Sequence, residues 1–155
     1  MTDAPDTTAQ PLDLEERQLL RAVVGSMIPP SPEFGLPGAD DEAIYAEILA
    51  IADRDAKPVR QSLRLLQELS GGSFAALGVS RQAAVGAEFR EEHPEPFLVL
   101  VALAARCYYR DDRVMRSLGM EPRPPFPRGF EVEQGDWGLL DAVRARGRIY
   151  RDAPP

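Results

Sequence analysis

Apolar positions recur at helical spacing over most of this chain, and no segment alternates with a period of two. Leu19, Leu20, Val23, Val24 and Met27 form one stripe behind Asp13-Leu14-Glu15-Glu16. There, an Asp followed three residues later by Glu reads as a capped helix start. Pro29, Pro30 and Pro32 end that helix at Ile28 and open a turn-rich loop over 29–39. Asp40 or Asp41 caps a second helix carrying Ala43, Ile44, Ile48, Ile51 and Ala52, with Tyr45 and Leu49 alongside. Asp53-Arg54-Asp55 interrupts it. A third helix has Pro58 in its first turn and Val59, Leu63, Leu65, Leu66 and Leu69 on its apolar face. It stops at Ser70-Gly71-Gly72. Phe74 to Leu77 reads as a short turn. Ser80 then caps a fourth helix through Ala83, Ala84, Ala87 and Phe89, closing at His93-Pro94.

The fifth helix, Pro96 to about Arg110, is apolar on every side from Phe97 to Ala105. This pattern predicts a central helix wrapped by the others. Asp111 or Asp112 caps a last short helix that Gly119 ends. Beyond it Pro122-Arg123-Pro124-Pro125-Phe126-Pro127 holds the chain extended and removes backbone donors. Asp136 or Asp141 could start one or two further turns through Leu139, Leu140 and Val143. The expected fold is all-α: a bundle of five to six helices around the apolar helix 96–110. An N-terminal lead (1–11) is expected to be disordered, the helical domain to cover 12–120, and an extended proline-rich arm to follow over 121–155.

Composition narrows the functional classes. The chain has 155 residues and a formal charge of −7, which argues against nucleic acid as a partner. The charge is uneven, −9 over residues 1–55 and +2 over 106–155. The longest uncharged apolar run is nine residues, far short of the roughly 20 needed to span a bilayer. Cys107 and His93 are each the sole residue of their type, so neither a disulfide nor a thiolate metal cluster is expected. His93 before a proline reads as a boundary residue. Cys107 reads as a small buried apolar residue more readily than as a reactive thiol, despite Arg106 beside it. The polar, acidic start carries no twin-arginine or apolar export segment, so a cytoplasmic location is expected.

No nucleophile–base pair, metal-ligand spacing or phosphate-cradling loop stands out. What does stand out is aromatic and basic. Tyr108 and Tyr109 end the apolar helix, and Arg123, Phe126, Arg128, Phe130 and Trp137 follow on the arm. Large aromatics on a proline-rich segment need cover, either from their own domain or from another protein. Trp, Tyr and Arg are the types that dominate binding energy at interfaces. These seven residues are the candidate partner-binding set.

Several stretches, taken in order, resemble one family. Asp13-Leu14-Glu15-Glu16, then Leu19-Leu20-Arg21-Ala22-Val23-Val24 and Met27-Ile28-Pro29, resemble the opening of the gluconate 2-dehydrogenase subunit 3 family. So do Phe97 opening a helix that ends Cys107-Tyr108-Tyr109, and Asp112, Val114 and Leu118-Gly119 after it. The resemblance covers roughly residues 12–120, and the Gly135-Asp136-Trp137 tail is similar to a subgroup. It implies a small helical subunit that binds and stabilises a large flavoprotein of the glucose-methanol-choline type. That partner would carry FAD and oxidise a sugar or other alcohol. It implies no cofactor and no catalytic residue in this chain. The chain departs from exported members in lacking their signal and paired cysteines. A free-standing helical adaptor, its acidic first two helices forming the contact face, is the alternative. A small enzyme built on Tyr108, Tyr109 and Asp112 is a third.

Overall fold

The computed structural model describes residues 10–124, 126–131 and 133–147. The expected lead over residues 1–9 lies outside them. The described residues form seven α-helices and no strand: α1 Leu14–Met27, α2 Glu42–Ala52, α3 Ala56–Ser70, α4 Val79–Glu92, α5 Pro94–Tyr108, α6 Asp112–Ser117 and α7 Asp141–Ala145. The fold is all-α. The chain divides into two units, one ending at Pro122 and one beginning at Arg123.

In the first unit, the ends of the helices follow from local chemistry. The Asp13 carboxylate accepts from the Glu16 amide (2.9 Å), and the Glu16 carboxylate accepts in return from the Asp13 amide (2.9 Å). Two of the donors that a helix start leaves open are thereby satisfied. Asp41 caps α2 and Asp111 caps α6 through their side chains. Gly71 ends α3 with a positive φ of 66°, a conformation that glycine adopts without steric cost. Two boundaries differ from the sequence reading. Helix α4 starts at Val79 behind an extended Gly78, which leaves Ser80 inside the first turn. Helix α5 starts at Pro94, not Pro96, because the earlier proline already has the φ that the first helical position requires and no donor to waste there. His93 is both the last cap of α4 and the first of α5.

The core of the first unit is built from one face of each of α1 to α6. Leu20, Val23 and Val24 of α1 join Ile44, Ile48, Ile51 and Ala52 of α2, and Val59, Leu63 and Leu66 of α3. Phe74, Val85, Phe89, Leu100, Leu103, Ala104, Cys107, Tyr108 and Val114 belong to it as well. Helix α4 contributes Val85 and Phe89, whereas Ala83, Ala84 and Ala87, which the sequence reading placed on its apolar stripe, are exposed. Helix α5 packs against α1, α2, α3 and α4. It is nonetheless not encircled. Leu100, Leu103, Ala104, Cys107 and Tyr108 face inward, but Leu98 is 59% exposed and Ala102 is exposed too. The uniform apolarity of 97–105 does not translate into cover on all sides by the described helices of this unit.

Long-range polar ties hold the helices in register. The Asp53 carboxylate at the end of α2 accepts from the Leu12 amide (3.0 Å) and from Arg17 (2.9 Å). Arg60 of α3 donates to the carbonyls of Gln10 (3.1 Å) and Pro11 (3.2 Å), so the last two residues of the expected disordered lead are tethered to the bundle. The hydroxyl of Tyr45 donates to the Arg17 carbonyl. Burial pushes that phenol up to about 12, because the phenolate would be poorly solvated there.

Candidate partner-binding surface

The seven candidate residues divide between the two units. In the first, the end of α5 places the tyrosine pair edge to face, with ring centroids 5.4 Å apart. Their surroundings differ. Tyr108 is buried, and its hydroxyl donates to the Pro37 carbonyl (3.2 Å), pinning the end of α5 to the loop ahead of α2. Burial raises its pKa, with Tyr109 and Asp111 adding to the effect. Tyr108 is therefore a strut of the core and presents no surface to a partner, which corrects the sequence reading. Tyr109, 56% exposed, does present one.

Cys107, one residue earlier, is buried, and burial pushes its thiol up, away from the thiolate that a reactive cysteine needs. Asp112 pairs with Arg116 one turn on (2.8 Å) at the surface. Tyr108, Tyr109 and Asp112 thus face separate surroundings and do not converge on a site.

In the second unit the arm is not extended throughout. Arg123 stacks over the Phe130 ring, 4.9 Å from its centroid, and donates to the Gly129 carbonyl (2.6 Å). These contacts close 123–130 into a clip that brings two candidate residues together. Further on, the Asp136 carboxylate accepts from the Gly138 amide (2.9 Å) and caps a 3-10 turn, Trp137–Leu140, which runs into α7. Proline excludes helix only as far as Pro127, and the Asp136 cap restarts it. No described residue from Arg123 to Gly147 is buried. Phe126 is 86% and Trp137 63% exposed, and Phe130 and Arg128 are exposed as well.

The sequence reading missed Leu139, Leu140 and Val143 as surface groups, although all three are exposed. Their signal was the spacing Trp137, Leu140, Val143, every third residue along a short helical segment.

The first unit also has a groove of about 530 Å³ between α1 and α4. Phe74, Phe89, Phe97 and Leu100 line it beneath walls of small residues such as Ala22, Gly25, Ala83 and Gly86. Its polar members are committed elsewhere or stand singly. Arg21 donates twice to the Asp40 carbonyl, the Ser26 hydroxyl donates to the Val23 carbonyl of its own helix, and Gln82 donates to the Phe74 carbonyl. No nucleophile–base pair lines the groove. Among the described residues no cluster of His, Cys, Asp and Glu could hold a metal ion, and no helix is long and apolar enough to cross a membrane. Comparison with family models, with curated proteins and with solved structures finds no match to this chain.

Proposed function

We propose that this chain is a small, non-catalytic subunit that binds and stabilises a large FAD-dependent dehydrogenase of the glucose-methanol-choline type, acting on a sugar or other alcohol. FAD and catalysis belong to the large subunit, and the pair works in the cytoplasm. The ordered resemblance to the gluconate 2-dehydrogenase subunit 3 family supplies the identity of the partner. One structural observation supports a binding role: Phe126, Trp137, Leu139 and Val143 all stand exposed on a unit in which no described residue is buried. Such exposed side chains gain about 25 cal/mol for each Å² of apolar surface that a partner covers. The contact residues under this reading are Tyr109, Arg123, Phe126, Arg128, Phe130 and Trp137.

The test is a pull-down of the tagged full-length chain from its native cells, followed by an absorption spectrum of the eluate. Co-elution of a much larger protein in fixed ratio, with oxidised-flavin bands, is the expected result. A colourless eluate without that protein removes the dehydrogenase and leaves the helical adaptor as the reading to pursue.

A further inference from the structure

We propose that the outer face of α5 is a self-association surface, on which a second copy of this chain docks with its own α5 antiparallel. The proposal is independent of the flavoprotein reading.

The face is the side of α5 that the bundle leaves uncovered. Glu95, Leu98, Ala102 and Arg106 lie in one line along it, spaced three, four and four residues apart. All four are exposed, and Val101, Ala105 and the exposed Tyr109 flank them. A helix with one solvent-facing side ordinarily carries polar residues there. Here charge is confined to the two ends of the line and the middle is apolar.

Those two charges are opposite in sign, and neither makes a hydrogen bond or ion pair within the described residues. Glu95 and Arg106 are about 16 Å apart along the helix axis, too far to reach each other. The line reads Glu, Leu, Ala, Arg in one direction and Arg, Ala, Leu, Glu in the other. A two-fold axis crossing α5 between Leu100 and Val101 therefore sets Glu95 of each copy opposite Arg106 of the other. The same register brings Leu98 to within one residue, about 1.5 Å along the axis, of the position opposite Ala102, large against small, on both sides of the axis. The Ala102 end is also recessed. A cleft of about 210 Å³ lined by Val59, Val99, Ala102, Leu103 and Arg106 lies beside it, where the Leu98 side chain of the other copy would enter. A two-fold contact must be self-complementary in this way, since the same patch serves both sides. A parallel pair would stack Glu95 on Glu95 and Arg106 on Arg106, which costs free energy rather than releasing it.

The experiment is light scattering on the eluted full-length chain over a range of concentrations, with four variants. The wild type is expected to dimerise reversibly. Leu98→Asp abolishes the dimer, and Glu95→Arg weakens it about tenfold or more through two like-charge contacts. The double variant Glu95→Arg, Arg106→Glu restores it, a recovery that a general folding defect would not give. Ala102→Cys places a thiol near the axis on both copies and is expected to cross-link through a short bis-maleimide, while buried Cys107 does not compete. A wild type that stays monomeric at hundreds of micromolar overturns the proposal. So does a dimer indifferent to Leu98→Asp and to the charge exchange. If α5 variants instead lose a flavoprotein and never a second copy, the occupant is that partner and self-association is wrong.

Discussion

Arg60 holds Glu16 with a two-pronged grip: its Nε lies 2.5 Å from one carboxylate oxygen and its Nη2 3.1 Å from the other, across 44 residues of sequence. Glu16 also accepts from the Asp13 amide, so one side chain closes the start of α1 and ties it to α3. The paired carboxylate raises the pKa of the guanidinium. Both side chains are about four-fifths covered, so water screens the pair only partly. Glu16→Ala should cost about 2–3 kcal/mol, the sum of a lost cap and a partly buried cation left without its carboxylate. Glu16→Gln keeps hydrogen-bonding capacity and should cost less. Urea midpoints of the three proteins check the order.

Half of that relationship could be read from the sequence. An Asp and a Glu three apart ahead of an apolar stripe announce a capped helix, because the interaction is local. The partner at position 60 leaves no comparable trace, since nothing in the spacing says that α3 passes α1 there. The same division holds for the rest of the chain. Asp41, Gly71 and Asp111 each act within one turn of themselves, and the start of α2, the end of α3 and the start of α6 follow from them. Helix α5 illustrates the opposite case. Its apolarity announces burial but not by what, and α1 to α4 cover only the side carrying Leu100, Leu103, Ala104 and Cys107. For the candidate site, aromatic type separated neither Tyr108 from Tyr109 nor a strut from a contact surface. The deciding fact is the Pro37 carbonyl, 71 residues away.

Acid should weaken the fold through a second arginine. Arg113 donates to Asp41 (2.7 Å) and to Asp111 (2.9 Å), joining the capping residues of α2 and α6. Hydrogen bonds from Arg113 hold both carboxyls below the usual carboxylate value. A depressed folded-state pKa means that the unfolded chain takes up protons first. The stabilisation is therefore complete above about pH 4 and disappears as pH falls through the folded-state values. Arg113→Met should be less stable than wild type at pH 6, and the gap should narrow as pH falls from 4 towards 2. Urea titrations at pH 6, 4, 3 and 2 would show it. A constant gap across that range would mean that these contacts carry no linkage.

Two glycines should respond to alanine with opposite signs. A Cβ on Gly38 would lie 2.4 Å from the Asp40 carboxylate, 2.9 Å from the Pro30 ring and 3.0 Å from the Pro30 backbone nitrogen. The carboxylate can swing aside, but the proline cannot. Gly38→Ala should cost about 1–3 kcal/mol by overpacking, and removing the carboxylate with Asp40→Ala should not recover all of it. Gly86, inside α4, has nothing within 4 Å of its added Cβ. Gly86→Ala should gain about 0.5–1 kcal/mol from the entropy that glycine loses in a helix. Thermal melts of the three variants decide both signs.

The arm should matter for binding and little for folding. Every buried residue among those described lies between Leu12 and Val114, so a chain ending at Pro122 keeps the whole core. It should still unfold cooperatively, with a midpoint within a few degrees of the full chain, because every buried residue described belongs to the part that remains. Capture of the flavoprotein should fall at least tenfold in the shortened chain. Within the full chain, Trp137→Ala and Phe126→Ala should each cost about 1–2 kcal/mol of affinity, the range expected where an aromatic anchor is truncated. Tyr108→Phe offers the contrast. It removes only the hydroxyl that reaches Pro37, so it should lower stability by about 1 kcal/mol and leave partner affinity unchanged. An arm deletion that unfolds the body, or a Tyr108→Phe variant that loses the partner while remaining stable, would reverse the roles assigned to these two regions.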